Sequence, residues 1–392
     1  MKKNRKFLSI LLMLTVVLSM SFAAMPAYAA SGTAISTADD LKAMASNPGG
    51  SYYLANDIEV PSNLILFTSY DAPFTGTLDG NGHTIKGYTY TASADWTEQA
   101  ALFGYAKNAT FKNLKMTEVN ISLNQAGTVA ALVAASENCK FTDISVSGKI
   151  VGKSLSTAAG IVAYSYEGGT LTNCKNSADI TITNADEGSS AAGVAGFIGS
   201  AGSMKNCSNS GKISISGSIE AASISAAGVV LGVGKATSCK NSGTISVSAI
   251  GNGSMNDECI AAGVAVEVDT AVSCSNTGKV SMNATVEAVD PHRVGGVFGS
   301  VTKSASKCYN KGAVSFSGKS HRGLYVGGLG AYLPKVSQSY NKGAVTVKMS
   351  SAKKAEDNKI GGVSGAVVDM RNCYNTGSVT VTGVAFVGGI SG

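Results

Sequence analysis

Cys207-Ser208-Asn209-Ser210-Gly211-Lys212-Ile213-Ser214-Ile215 is followed by Cys239-Lys240-Asn241-Ser242-Gly243-Thr244-Ile245-Ser246-Val247, and then by Cys274-Ser275-Asn276-Thr277-Gly278-Lys279-Val280-Ser281-Met282. Three near-copies at intervals of 32 and 35 residues identify a repeat protein. Followed outward, the cysteine slot reads Leu114, Ile144, Cys174, Cys207, Cys239, Cys274, Cys308, Ser339 and Cys373, in steps of 30 to 35 residues. A position that accepts Leu, Ile and Cys is a compact buried hydrophobe, so the cysteines are expected to stack as inert free thiols. Cys139 and Cys259 lie off this ladder and read as single buried or loop thiols. The chain contains no C-x-x-C pair, which removes the strongest zinc signal.

Two residues beyond the slot stand Met116 and Val146, then Asn176, Asn209, Asn241, Asn276, Asn310, Asn341 and Asn375. From Asn209 onward each Asn is followed by x-Gly. Asn tolerates left-handed backbone and Gly adopts it freely, so Asn-x-Gly is expected to be a bend made once per unit, with the amides bonding along the stack. A short alternating strand follows, as in Ile213-Ser214-Ile215-Ser216, with one buried and one polar side. A further strand is expected to open on a small pair such as Ala227-Gly228, Ala262-Gly263 or Gly295-Gly296, burying Val229, Leu231 and Val233 and presenting a flat, nearly uncharged outer face of Gly, Ala and Ser.

Three short strands in about 33 residues cannot bury a core alone. Pairing each strand with its equivalent one turn later satisfies the backbone and makes the core continuous. The expected fold is all-β: a right-handed parallel β-helix, a solenoid with three short strands per rung, handed by the general preference for right-handed crossovers. Thr37-Ala38-Asp39-Asp40 with Leu41 and Met44 reads as a short capping helix over the first rung.

Residues 1–30 carry Lys2, Lys3, Arg5 and Lys6, an apolar run from Phe7 to Leu18 and Ala27-Tyr28-Ala29, the pattern of a signal peptide. The expected organisation is leader 1–30, N-terminal cap and first rungs 31–100, and repeat β-helix 101–392. Gly392 falls inside a strand of a further unit, so that last part is expected to be truncated. The leader holds four of the 31 basic residues, which leaves 27 against 25 acidic ones. A net of +2 gives no electrostatic reason to expect nucleic acid, and no later segment is long and apolar enough to span a bilayer.

Tyr53-Leu54-Ala55-Asn56-Asp57-Ile58, Phe74-Thr75-Gly76-Thr77-Leu78-Asp79-Gly80-Asn81-Gly82-His83-Thr84-Ile85 and Val294-Gly295-Gly296-Val297-Phe298-Gly299 resemble bacterial secreted and surface proteins with GLUG-type repeats. The resemblance implies the pectin-lyase-like β-helical architecture. It also implies adhesin-like surface roles, polysaccharide-degrading relatives, or accessory parts of large secreted metallopeptidases. A metallopeptidase needs closely spaced ligands, and His83, His292 and His321 sit in no such motif.

The expected function is therefore a secreted or cell-surface scaffold that binds glycans or host matrix proteins or acts as a spacer, without enzymatic activity, cofactor or metal. The alternative is a polysaccharide lyase or glycoside hydrolase. The one carboxylate pair is Glu267 and Asp269, on an outward strand face. The variable connecting segments hold His292, Arg293, His321 and Arg322, a candidate basic patch for an acidic glycan.

Overall fold

The computed structural model describes residues 31–91, 99–124, 126–185, 188–218, 223–251, 258–285, 291–320, 323–352 and 358–392. The leader 1–30 therefore lies outside the described residues. The strands pair in parallel from the first rung to the last, each with its equivalent one repeat away, so the chain is a parallel β-solenoid. One repeat shows all three faces. The first face is Val230–Thr237, the second is Lys240–Asn241 with Ile245–Ile250, and the third is Cys259–Ala262. The third face stacks ten strands in register.

The decisive columns are real. Ser208 pairs with Lys240 and Lys240 with Ser275, while Asn209, Asn241 and Asn276 lie over one another. Inside the columns runs one apolar core from Ile35 to Val363. Its girth is balanced rung by rung: Phe111 stacks on Phe141 at 5.3 Å in the early turns, where the same column later holds Ala236, Ala271 and Ala305. Phe298 and Phe316 fill the later turns instead.

The capping helix α1 (Ala38–Ala43) forms as its sequence dictates. Thr37 accepts a hydrogen bond from the Asp40 amide, and the Asp40 carboxylate accepts one from the Thr37 amide. This capping box satisfies the first-turn donors, and Leu41 and Met44 are fully buried in the end of the core.

Two local expectations are corrected. Neither the Asn nor the Gly of Asn-x-Gly adopts positive φ; the left-handed residue is the one before the cysteine slot, at Asn173, Asn206, Ser238, Ser273, Lys307, Gln338 and Asn372. That residue turns the first face into the second. From Asn176 to Asn341 the ladder Asn is buried instead, each amide donating both to the carbonyl two residues on and to the next Asn, as Asn276 does to Gly278 at 2.7 Å and Asn310 at 2.9 Å. The Gly is there because the neighbouring rung comes close: a Cβ on Gly278 would lie 2.0 Å from the Gly243 carbonyl oxygen.

The small pair, likewise, does not open a strand. Ala262 ends the third face and Gly263 turns the corner into the first. Alternation does not run through a corner, so Leu231 leaves the central core and packs with Ala192, Ala227, Ile260 and Val266 in a cluster of its own.

All eight cysteines are free, and all but Cys373 are buried. The ladder thiols donate to the carbonyl two residues back, as Cys207 does to Lys205. Burial pushes the off-ladder Cys139 thiol up to about 11. A buried thiol that resists ionisation is a poor nucleophile. Titration of the folded protein with a thiol-reactive disulfide at pH 8 is therefore expected to modify Cys373 at most, and the denatured chain all eight. Rapid modification of several cysteines before unfolding would contradict the ladder.

Candidate functional site

The residues singled out in the sequence do not form one site. Glu267 is exposed between Gly232 and Ser300 in its column. Asp269 is engaged by the next rung: Lys303 Nζ lies 2.8 Å away and Thr302 Oγ1 donates at 2.6 Å. The Lys303 contact, with Thr302 second, holds its carboxyl below the usual carboxylate range.

His292 does not stand on the surface as expected. It is 1% exposed, in register between Cys259 and Leu324, and its Nδ1 accepts from the Cys259 amide at 3.2 Å. The adjacent Arg293 points the other way and pairs with Glu258 at 2.9 Å. The two therefore face opposite sides of one strand. His321 and Arg322 lie outside the described residues.

The surface feature with binding chemistry is on the first face. Tyr105, Ala135, Tyr164 and Phe197 form one outward column, and Tyr166 stands two residues along the same strand from Tyr164. Tyr164 stacks against Phe197 at 5.6 Å and Tyr166 at 5.9 Å. The segment around residues 66–74 is stitched alongside by bridges from Leu66 to Phe103 and Phe74 to Ala106. It delivers Tyr70, whose ring meets Tyr105 edge-on at 5.8 Å.

Tyr70, Tyr166 and Phe197 are 61%, 54% and 41% exposed, which is a substantial contiguous apolar area. At its rim Lys107 pairs with Glu137 at 2.7 Å, and the Tyr70 hydroxyl reaches Glu137 at 3.4 Å. Amphipathic rings beside a neutralised ion pair suit apolar and ring-stacking contact with a partner, with hydrogen bonds at the edge.

This platform departs from the expectation of a flat outer face built mostly of Gly, Ala and Ser. The signal was present in the alternation Phe103-Gly104-Tyr105 and Val162-Ala163-Tyr164-Ser165-Tyr166, which places the tyrosines outward.

Among the described residues no group of three or more His, Cys, Asp or Glu side chains is placed to hold a metal ion. His83 is beside Asp57 alone, with Nδ1 3.6 Å from the carboxylate. No helix among the described residues is long and apolar enough to cross a membrane.

Among curated proteins nothing matches the chain. Among solved structures, a protein from Bacteroides ovatus described as a candidate immunoglobulin A1 protease is 16% identical, with 92% of this chain and 85% of its own covered and a TM-score of 0.33. The family model for the N-terminal region of M26 IgA1-specific metallo-endopeptidases matches residues 27–148. The described residues do not supply the ligand set that such a metal requires. The match nevertheless overturns the expectation of a chain without enzymatic activity: residues 27–148 are similar to part of a metallo-endopeptidase family, which points toward a peptidase.

Proposed function

We propose that the chain is an exported or surface-displayed β-solenoid of an M26-like peptidase system, and that its aromatic platform takes hold of a protein partner, immunoglobulin A1. The observation that carries this reading is positional. The segment similar to the M26 N-terminal region, 27–148, contains the first half of the platform, Tyr70, Tyr105 and the Lys107–Glu137 rim, and Tyr164, Tyr166 and Phe197 extend it over the next rungs.

The basic, apolar, small-x-small pattern of residues 1–30 supports export. The resemblance of the later units to GLUG-type repeats supports display outside the cell. Large aromatic side chains carry most of the energy of many interfaces, so the rings are the part to test.

Residues 31–392 are expected to bind immobilised immunoglobulin A1 with a Kd in the micromolar range, and a Tyr166→Ser/Phe197→Ser variant at least ~10-fold more weakly. Both substitutions are on an exposed face and leave the core intact. Electrophoresis of the same mixtures for heavy-chain fragments reports whether the chain also cleaves its partner. Absence of binding, or equal binding by immunoglobulin G and by the variant, would sink the proposal.

A further inference from the structure

Charge is distributed along this chain more unevenly than its total suggests. Residues 291–355, about two repeats, contain nine Lys, Arg293 and Arg322 and no acidic residue, whereas the rest of the chain beyond the leader sets 16 basic residues against all 25 acidic ones. Arg293 and Lys303 are paired with Glu258 and Asp269. The second face collects most of the others. Lys311 and Lys342 stand on neighbouring rungs, Lys319 and Lys348 farther along the strands, and Lys307 at the left-handed corner before them. All five are exposed, and none meets a carboxylate among the described residues.

A stack of tyrosines organises this part of the face. Tyr309, Tyr340 and Tyr374 pair in one column, with ring centroids 5.2 and 5.0 Å apart and planes within 8° of parallel. Rings stacked so closely present chiefly their edges and hydroxyls to solvent. Lys311 Nζ lies 5.3 Å from the Tyr309 centroid and Lys342 Nζ 5.4 Å from that of Tyr340. The cation–π contact holds each ammonium against the ladder, and because it repeats from rung to rung the charges sit at the same height above the sheet.

We infer that this face docks the protein on an anionic phospholipid surface. The cations are spread over a face and its corner instead of converging on one point, which suits a plane of phosphates and not a single small anion. All five are Lys, whereas a site built to grip one carboxylate or phosphate favours the planar fork of Arg. Tyrosine suits the headgroup layer, where its ring meets apolar carbon and its hydroxyl meets water. Ser315, Ser317, Thr346 and Thr380, which fill the face between the lysines, are short and keep the plane level. Attachment of this kind is peripheral: it rests on charge and interfacial rings and needs no membrane span. The inference is independent of the aromatic platform, which lies on the first face in earlier rungs.

Sedimentation of residues 31–392 with vesicles tests it. Vesicles of phosphatidylcholine and phosphatidylglycerol in equal parts are expected to carry the protein down at about 0.1 M salt and to release it at about 1 M, where the Debye length falls to about 3 Å. Vesicles of phosphatidylcholine alone should leave it in solution. Lys311→Gln/Lys342→Gln should weaken binding about 10-fold or more. Lys140→Gln/Lys205→Gln, which removes the same charge from the first face, should leave it unchanged. Binding to both kinds of vesicle alike or to neither, insensitivity to the Lys311/Lys342 change, or an equal loss from the first-face pair would overturn the inference. Displacement by soluble polyglutamate of equal charge would make an acidic polypeptide the partner and overturn it too.

Discussion

A single methyl group added at Gly263 is expected to abolish the native fold or cost more than about 4 kcal/mol, a loss that single substitutions reach only through a few mechanisms. Gly263 turns the corner between the third and first faces. A Cβ there would lie 2.0 Å from the Gly296 carbonyl oxygen of the next rung and 2.5 Å from Cγ of Asn276. Both obstacles are fixed: the first is backbone held in a parallel ladder, the second an amide bonded on two sides. Relief would require the rungs to separate, and close-packed interiors do not allow that cheaply.

The internal control is Gly389, in the same column, where a Cβ meets nothing within 4 Å. Gly389→Ala should change stability by no more than about 0.5 kcal/mol. Urea denaturation followed by far-ultraviolet circular dichroism compares the two. Similar midpoints for both variants would show that the corner can relax and that the glycine column has another cause.

The sequence also shows what that glycine accompanies. In the units whose ladder residue is Met116 or Val146, the corner residue is Leu102 or Ala131; from Asn176 onward it is Gly160, Gly193, Gly228, Gly263, Gly296, Gly328 and Gly362. Corner glycine and ladder asparagine thus arrive together. A Cβ at each of these corners would meet the side chain of the ladder asparagine as well as the carbonyl of the next rung, so the asparagine leaves room only for glycine.

This is why the solenoid could be read from spacing. The decisive columns repeat one residue type or a few of similar character, and repetition survives without knowledge of the geometry. The corner that turns the first face into the second could not be read so. Asn206, Ser238, Lys307 and Gln338 share a left-handed backbone but no chemistry, and Lys and Gln give no signal of it.

Site residues follow the same division. His292 was misplaced because it was read as part of a variable connection. Aligning Cys259-Ile260-Ala261-Ala262 with His292-Arg293-Val294-Gly295 places it inward, as the register confirms. The aromatic platform depends in part on Tyr70, whose neighbour Tyr105 lies 35 positions away in a segment with no repeat of its own, and no periodicity reports that contact.

Removing the amide from the middle of the asparagine ladder should have the second large effect. Asn276 Nδ2 donates to Gly278 O and Asn310 Oδ1, and its Oδ1 accepts from Asn241 Nδ2 at 2.8 Å and from the Gly278 amide at 3.2 Å. Asn276 is fully buried, so water cannot replace these partners. Leucine keeps the branched shape but carries bulkier ends, so Asn276→Leu removes the hydrogen bonds and adds some overpacking to their loss.

The Gly278 amide and carbonyl both lose their side-chain partner, and the amides above and below lose one bond each. At about 1–3 kcal/mol for each buried group left unsatisfied, the expected loss is about 3 kcal/mol or more. Asn375→Leu, at a half-buried position with one ladder neighbour among the described residues, should cost about 1 kcal/mol or less because solvent reaches its partners.

Hydrogen exchange gives the sharper readout, since stability in a solenoid is a sum of local interfaces. Protection should fall at the amides of residues 241–243, 276–278 and 310–312 and persist around Asn176. Uniform loss along the whole rod, or no loss, would mean that the amides do not hold neighbouring rungs together and that the apolar columns alone set the register.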